Sequence, residues 1–249
     1  MRYMGGKARI STPLSKFIND NFLKGNNKPF VDLFCGSCNI VSKIDKNRMR
    51  IANDKHRYLI AMWKELQRGW LPPKQCSRDE YYHIKEHLDD KPYLSGFIGF
   101  GCSYSGIWMG GSSYASDTTG RNYCLNAYNS TMRKMEHLKD VVFLCSDYKH
   151  VDIPLGSVVY CDIPYKNTAQ YSVKEVGHFD HDEFYQWVRE NKDKYTILIS
   201  EYEKNIPDDF KIIWRMESKR DIRNKDNKQV NTIEVLATIK SRQDGVYYV

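Results

Sequence analysis

The sequence predicts an α/β fold, in which a parallel, doubly wound sheet is interrupted by a helical insertion. Three observations predict it. Short apolar strands alternate with helical segments at the start of the chain, strand patterns vanish after residue 71, and they return at residue 141. Alternation of strands and helices is the pattern of a parallel sheet with crossover helices. A chain of 249 residues is long enough for one such domain with a large insertion.

The first half of the predicted sheet follows an amphipathic helix at residues 13–23. Residues 30–34 are apolar except for one acid and end at a glycine, which indicates a buried strand entering a tight turn. A helical stretch is predicted at 39–44, and a second strand at 50–54. Residues 55–68 carry apolar side chains at helical spacing and predict the next helix.

The middle of the chain predicts helices only. Ser77 and Glu80 form a capping-box pattern, and a helix is expected at about 126–138. Between them, residues 96–120 are rich in glycine, serine, tyrosine and tryptophan, and this composition predicts a long functional or mobile loop. We therefore expect an insertion at 64–140 within an α/β domain formed by 1–63 and 141–249.

Strand patterns resume after the insertion. Apolar runs at 141–145, 157–161 and 195–200 predict three further buried strands. A helix is predicted after the caps Asp180 and Glu183. Two later runs, "FKIIWRM" and "NTIEVLATI", predict antiparallel strands separated by a basic loop.

The amino-acid composition excludes only a few classes of protein. The chain is 41% hydrophobic and 28% charged, which suits a globular protein, and its formal charge of +7 suits a polyanion partner without requiring one. No apolar run predicts a membrane span or a signal peptide, so we expect a cytoplasmic protein. Seven cysteines, an odd number, predict reduced thiols. Cys35 and Cys38 form a C-x-x-C pair, for which a redox or metal role is an alternative without a second ligand pair to support it.

Three features at strand ends could share one crevice. Gly36 lies in a turn after the first strand, where glycine permits close approach of a ligand. Asp54 closes the second strand, where an acid either accepts hydrogen bonds from ribose hydroxyls or caps the following helix. Asp162 ends a later strand and is followed by Ile-Pro-Tyr, which alone could be a capped turn. The first turn is not G-x-G-x-x-G, so a dinucleotide is poorly supported.

The order of four motifs carries a family resemblance. "YMGGK", "DLFCGSCN", "ANDK" and "CDIPYKNTAQY" resemble the motifs of Dam-like adenine-N6 DNA methyltransferases of the D12 class, particularly phage and prophage members. The resemblance implies a Rossmann-like S-adenosylmethionine-dependent methyltransferase sheet with a helical target-recognition insertion. It further implies S-adenosylmethionine as cofactor, with S-adenosylhomocysteine as product and no metal. The implied partner is double-stranded DNA, with a possible cognate restriction endonuclease, in a monomer or weak dimer acting in the cytoplasm of a bacterium or phage-infected host.

The resemblance assigns roles residue by residue. The cofactor-binding positions it implies are Tyr3, Lys7, Phe34, Gly36, Asp54 and Asp162. The catalytic positions it implies are Asp162, Ile163, Pro164 and Tyr165. Two residues depart from the family pattern, since Cys38 replaces a glycine of the cofactor turn and Ile163 replaces the first proline of D-P-P-Y.

The implied chemistry fits these residue types. Adenine N6 is a poor nucleophile, and two acceptors, the Asp162 carboxylate and the Ile163 carbonyl, could localise its lone pair toward a methyl donor. The base must leave the duplex stack, and Tyr165 could receive it by stacking. We expect the insertion and the basic loop to contact DNA through Tyr104, Trp108, Arg121, Asn122, Arg133, Arg220 and Arg223. Methylation of RNA adenine or cytosine N4, or a decayed DNA-binding relative, are the alternatives.

Overall fold

A computed structural model describes residues 3, 6–109, 114, 121–166, 177, 179–218 and 232–240. The described strands form one mixed seven-stranded sheet in the order β3-β2-β1-β4-β5-β7-β6. The strands are β1 (Phe30–Asp32), β2 (Arg50–Asn53), β3 (Val142–Leu144), β4 (Val158–Asp162), β5 (Thr196–Tyr202), β6 (Phe210–Ser218) and β7 (Thr232–Ile239). The first five pair in parallel, whereas β7 is antiparallel to both of its neighbours. The predicted α/β class and the antiparallel pairing of the two late strands are confirmed.

Six α-helices accompany these strands in the described part of the chain. They are α1 (Ser11–Ile18), α2 (Arg57–Gln67), α3 (Arg78–Glu86), α4 (Pro92–Gly101), α5 (Tyr123–Met135) and α6 (His181–Asn191). The helix predicted at 39–44 is reduced to a 3₁₀ turn at Val41–Lys43. None of the described helices is long and apolar enough to cross a membrane.

Both faces of the sheet are covered, because successive strand residues are buried on opposite sides. Phe30 and Tyr160 belong to one hydrophobic cluster, with side chains of α1, α2, α4 and α5. Val31 and Val159 belong to the other cluster, with side chains of α6. This arrangement explains why β1 and β4 are nearly continuous apolar runs.

The helices α3, α4 and α5 follow α2 and precede β3, and they pack on the same cluster as the sheet. The loop predicted at 96–120 is partly wrong, because its first six residues continue the buried helix α4. The glycines of α4 lie where neighbouring groups pack so closely that a side chain would not fit. A Cβ on Gly96 would lie 2.1 Å from the Tyr58 carbonyl oxygen, and one on Gly99 would lie 2.3 Å from the Trp108 ring.

Candidate active site

The candidate site lies at the carboxyl ends of β2, β1 and β4, three neighbouring strands. Ligands of open α/β sheets bind where the strand order reverses, which here is between β1 and β4. The glycine turn follows β1, Asp54 directly follows β2, and Asp162 is the last residue of β4. The three strand-end features that the sequence singled out thus follow adjacent strands.

The turn after β1 has a backbone that favours glycine at two positions. Gly36 has φ 46° and Cys38 has φ 56°, both in the left-handed region. A side chain in that region costs about 1–2 kcal/mol. The turn is held by the Cys38 amide, which donates to the Cys35 carbonyl (2.7 Å), and by Trp63 Nε1, which donates to the Gly36 carbonyl (3.1 Å). Cys38 therefore adopts the conformation suited to the glycine that it replaces.

Tyr3 covers this turn from the N-terminal segment. A Cβ built on Gly36 would lie 2.9 Å from a ring carbon of Tyr3. The Tyr3 ring also contacts Phe100 in α4, with ring centres 4.9 Å apart. Tyr3 and Gly36, both predicted to bind the cofactor, thus lie in direct contact, and this contact requires a residue without a side chain at position 36.

Asp54 supports the turn through its carboxylate. Its Oδ2 accepts a hydrogen bond from the Gly36 amide (2.9 Å), and its Oδ1 accepts one from the His56 amide (2.9 Å). The side chain that caps α2 is His56, whose Nδ1 accepts from the Leu59 amide. Burial raises the pKa of Asp54, and the two amide hydrogen bonds oppose that rise. A carboxylate has about four acceptor sites, so these contacts leave capacity for ligand hydroxyls.

A lysine of the insertion contacts the same turn. Lys134, in α5, donates from Nζ to the Ser37 carbonyl oxygen at 2.6 Å. Burial lowers the pKa of Lys134 to about 8. No motif marks this residue in the sequence, because only the packing of α5 brings it to the turn.

Two carboxylates and one ammonium form the centre of the site. Lys7 Nζ lies 2.6 Å from Asp162 Oδ1 and 3.7 Å from Oε2 of Glu234 in β7. The side chains of Lys7 and Glu234 are 2% and 3% exposed, whereas that of Asp162 is 19% exposed. Lys7 was predicted to contact the cofactor, and the structure brings it onto the predicted catalytic acid.

The ring of Tyr165 lies beneath the same ammonium. Lys7 Nζ is 4.2 Å from the ring centre, and the ring meets Tyr202 edge-on at 4.5 Å. The Tyr165 hydroxyl donates to Glu234 Oε2 at 3.4 Å. Tyr165 is 8% exposed, so the predicted stacking surface is largely covered by Lys7 and its neighbours.

The segment from Asp162 to Lys166 is held by contacts that the sequence did not reveal. Ile163 is buried in the sheet cluster that packs on α6. The Pro164 carbonyl lies 2.8 Å from His181 Nε2, and the Lys166 amide donates to Glu201 Oε2 at 3.0 Å. His181 and Glu201 lie on α6 and β5, far along the chain, so a sequence motif could not have indicated them.

Asp32, the last residue of β1, and Phe34, two residues later, precede the Gly36 turn in the sequence. Phe34 is half-buried and packs against the rings of Tyr148, Phe179 and Phe184, with centres 5.6–5.9 Å apart. Asp32 is buried, its Oδ2 accepts from the Val41 amide, and its Oδ1 has no hydrogen-bond partner within the described residues. Burial raises the pKa of Asp32 well above its ordinary value, and the charge of Asp162 adds to this rise.

The residues predicted to contact DNA fall into different environments. Tyr104 is 67% exposed, and Arg121 and Arg133 are also exposed. Asn122 is exposed but caps α5, since its Oδ1 accepts from the Leu125 amide. Arg220 and Arg223 lie outside the described residues.

The prediction for Trp108 is corrected by its burial. Trp108 is 8% exposed, and its ring stacks on Tyr58 at 5.2 Å and meets His56 edge-on at 4.3 Å. An indole enclosed in this way stabilises the helical region by packing, so it is not a surface group that could reach a base.

The fold and the arrangement of the strand-end acids define the class of this protein as an α/β protein with a Rossmann-like sheet. The family model described as D12 class N6 adenine-specific DNA methyltransferase matches residues 3–100. This match confirms the family resemblance, and the matched range contains Tyr3, the Gly36 turn and Asp54. The Asp162–Tyr165 segment lies beyond it.

Among solved structures, the rRNA methyltransferase aviRa from Streptomyces viridochromogenes is similar, with 12% sequence identity and a TM-score of 0.44. The alignment covers 95% of this chain and 86% of that chain. No curated protein matches the sequence.

Proposed function

We propose that this protein is a site-specific methyltransferase that transfers a methyl group from S-adenosylmethionine to N6 of an adenine flipped out of duplex DNA. One observation carries the proposal. Asp162 ends β4, the Gly36 turn follows the neighbouring strand β1, and Asp54 follows the next strand β2, so all three lie at the same edge of the sheet. An acceptor for an amino group thus adjoins a cradle suited to a nucleoside, which is what methylation of an adenine amino group requires.

The residues around the turn fit S-adenosylmethionine. The carboxylate of Asp54 retains acceptor capacity for ribose hydroxyls, and Phe34, which follows β1, offers a half-buried ring. Within the part of the chain that the structure describes, Oδ1 of Asp32 is a buried acceptor without a hydrogen-bond partner at the end of β1, suited to the amino group of a methionine moiety. When bound, S-adenosylmethionine supplies the electrophilic methyl group.

Asp162 and Ile163 prepare the nucleophile. The Asp162 carboxylate accepts a hydrogen bond from one N–H of the adenine amino group, and the Ile163 carbonyl accepts one from the other. These two bonds localise the nitrogen lone pair, which is otherwise delocalised into the ring. Pro164 restricts Ile163 to extended conformations, and His181 holds the Pro164 carbonyl. Alignment of reacting groups in this way contributes up to roughly 7–11 kcal/mol in favourable systems.

Access of the base requires a change at Lys7. Extrusion of adenine from a duplex costs a few kcal/mol, and stacking on an aromatic ring returns about 1–3 kcal/mol. Tyr165 offers that ring once Lys7 moves from its position above it. The insertion at 64–140 would read the DNA sequence, with Tyr104, Arg121 and Arg133 as its exposed candidates.

Methyl transfer to DNA tests the proposal directly. Purified protein is incubated with tritiated S-adenosylmethionine and unmethylated duplex DNA, and the modified bases are identified by mass spectrometry. We expect N6-methyladenine from the wild type and none from Asp162→Ala, whereas Asp152→Ala, which removes an exposed acid before β4, keeps wild-type activity. Label found only in cytosine, or only when RNA replaces DNA, contradicts the proposal.

A further inference from the structure

Glu234 is a buried acid that no sequence motif singles out. It lies on the antiparallel strand β7, opposite Tyr202 of β5, and is 2% exposed. Its Oε2 lies 3.7 Å from Lys7 Nζ and 3.4 Å from the Tyr165 hydroxyl. A glutamate is almost never buried so completely unless its carboxylate is paired with another group. The antiparallel side of the sheet therefore places a second acid next to the pair formed by Lys7 and Asp162.

Lys7 occupies the place that the proposed function gives to adenine. Its ammonium donates to Asp162 Oδ1 at 2.6 Å and lies 4.2 Å above the Tyr165 ring. The target base needs the same two contacts, since its amino group donates to Asp162 and its ring stacks on Tyr165. Lys7 and the adenine amino group would donate to the same carboxylate, and an ammonium bound there weakens Asp162 as an acceptor for the base. Productive binding of the base is therefore favoured when Lys7 shifts away from Asp162.

We propose that Glu234 is a positioning residue that receives the Lys7 ammonium when the adenine amino group reaches Asp162, an inference that rests on the proposed function. A movement of about 1 Å would bring Nζ from its present separation to the usual distance of a charged hydrogen bond with Glu234. The ammonium stays paired throughout, which avoids leaving an unpaired charge in a buried site. The Asp162 carboxylate then accepts from the adenine without competition from Lys7.

Replacing Glu234 by glutamine keeps the size of the side chain and removes its charge. Lys7 then has only Asp162 as an anionic partner in this cluster, and it competes more strongly with adenine. With saturating S-adenosylmethionine and unmethylated duplex DNA, we expect Glu234→Gln to lower kcat about tenfold or more. Glu234→Asp should recover part of the activity. Glu217→Gln, which removes an exposed acid from the adjacent strand β6, should leave kcat unchanged.

A double variant separates positioning from a merely structural role. If Glu234 acts through Lys7, adding Glu234→Gln to Lys7→Met should not lower kcat further, because the two changes affect one contact. A structural role alone predicts a lower melting temperature for Glu234→Gln with an unchanged kcat for the folded protein. An active wild type with an equally active Glu234→Gln overturns this inference and leaves the proposed function intact. A wild type that methylates no adenine overturns both.

Discussion

The ammonium of Lys7 lies 2.6 Å from the Oδ1 atom of Asp162, within a cluster that also contains Glu234. Lys7 precedes α1 and Asp162 ends β4, so this ion pair joins the N-terminal segment to the centre of the sheet. Lys7 thereby connects the N-terminal "GGK" motif to the "DIPY" motif, through both the Asp162 carboxylate and the Tyr165 ring. The ion pair makes the catalytic acid of the proposed reaction dependent on a residue that is 155 positions distant in sequence.

The first prediction concerns the stability provided by this buried pair. Lys7→Met should lower the free energy of unfolding by about 3–5 kcal/mol, because it leaves buried carboxylates without their cation. Lys16→Met is the matched control, since Lys16 pairs with Asp20 at the surface, where its side chain is 74% exposed, and little change is expected. Urea denaturation followed by circular dichroism measures both. Equal stability of the two variants would show that the Lys7 pair contributes no more than a surface pair.

A second prediction concerns the acid after β2. Asp54→Asn should weaken S-adenosylmethionine binding about ten- to a hundredfold, because a charged acceptor contributes roughly 1.5–3 kcal/mol. The asparagine oxygen can still accept one of the two backbone amides that Asp54 binds, which limits damage to the turn. Asp147→Asn changes an acid that follows β3 and accepts from the Lys149 amide, and it should not alter affinity. Isothermal titration calorimetry measures the Kd of S-adenosylmethionine for each variant. An unchanged Kd for Asp54→Asn would exclude Asp54 from the cofactor site.

A third prediction isolates the contact between Tyr3 and the glycine turn. Gly36→Ala and Gly25→Ala both place a side chain at positive φ, 46° and 76°, which should destabilise each variant by about 1–2 kcal/mol. Only the new Cβ at position 36 meets another group, the Tyr3 ring, whereas nothing lies within 4 Å of one at position 25. Cofactor affinity should therefore fall for Gly36→Ala alone. Similar cofactor affinities in the two variants would mean that the position of Tyr3 is unimportant for binding.

A fourth prediction follows from the buried cap of α2. Burial lowers the pKa of His56 from 6.5 to about 4. The neutral ring therefore contributes stability that is complete above pH 6.5 and is lost progressively as the pH falls toward 4, in total about 3 kcal/mol. In His56→Asn an amide oxygen can still cap the helix, and the titrating group is gone.

The measurement is the difference in unfolding free energy between wild type and His56→Asn at two pH values. The advantage of the wild type should shrink by about 2 kcal/mol between pH 7 and about pH 4.5. Comparing differences removes the effect of other titrating groups that the two proteins share, and also the packing lost with the ring. A difference that stays constant with pH would contradict the lowered pKa.

A fifth prediction separates two aromatic residues of the insertion. Trp108→Ala should destabilise the protein by about 3–5 kcal/mol, because it empties a packed site between helices. Tyr104→Ala changes a side chain that is 67% exposed and should leave stability nearly unaltered, while weakening duplex DNA binding. Thermal denaturation and fluorescence anisotropy with labelled DNA give the two readouts. Unaltered DNA affinity in Tyr104→Ala would exclude this residue from the DNA interface.

Some features of the site depend only on residues that are neighbours in the sequence. The glycine turn, Asp54 and Asp162 could be found from the sequence, because each directly follows an apolar strand, and parallel strands bring their carboxyl ends to one edge. A cysteine does not by itself indicate a left-handed backbone, but the family that the sequence resembles has a glycine at the position of Cys38. The φ of 56° at Cys38 shows that the backbone there is left-handed. Such features are determined by a few neighbouring residues.

The sequence by itself thus determined the class of the sheet, the order of the strand-end motifs and the presence of several helices between β2 and β3. Only the tertiary structure decided which groups surround them. Glu234 and Lys134 reach the site from β7 and α5, and Trp108 turns inward because Gly99 leaves room for its ring. The physical reason is that hydrophobic periodicity reports which face of an element is buried, whereas the partner of a buried charge depends on how distant elements pack.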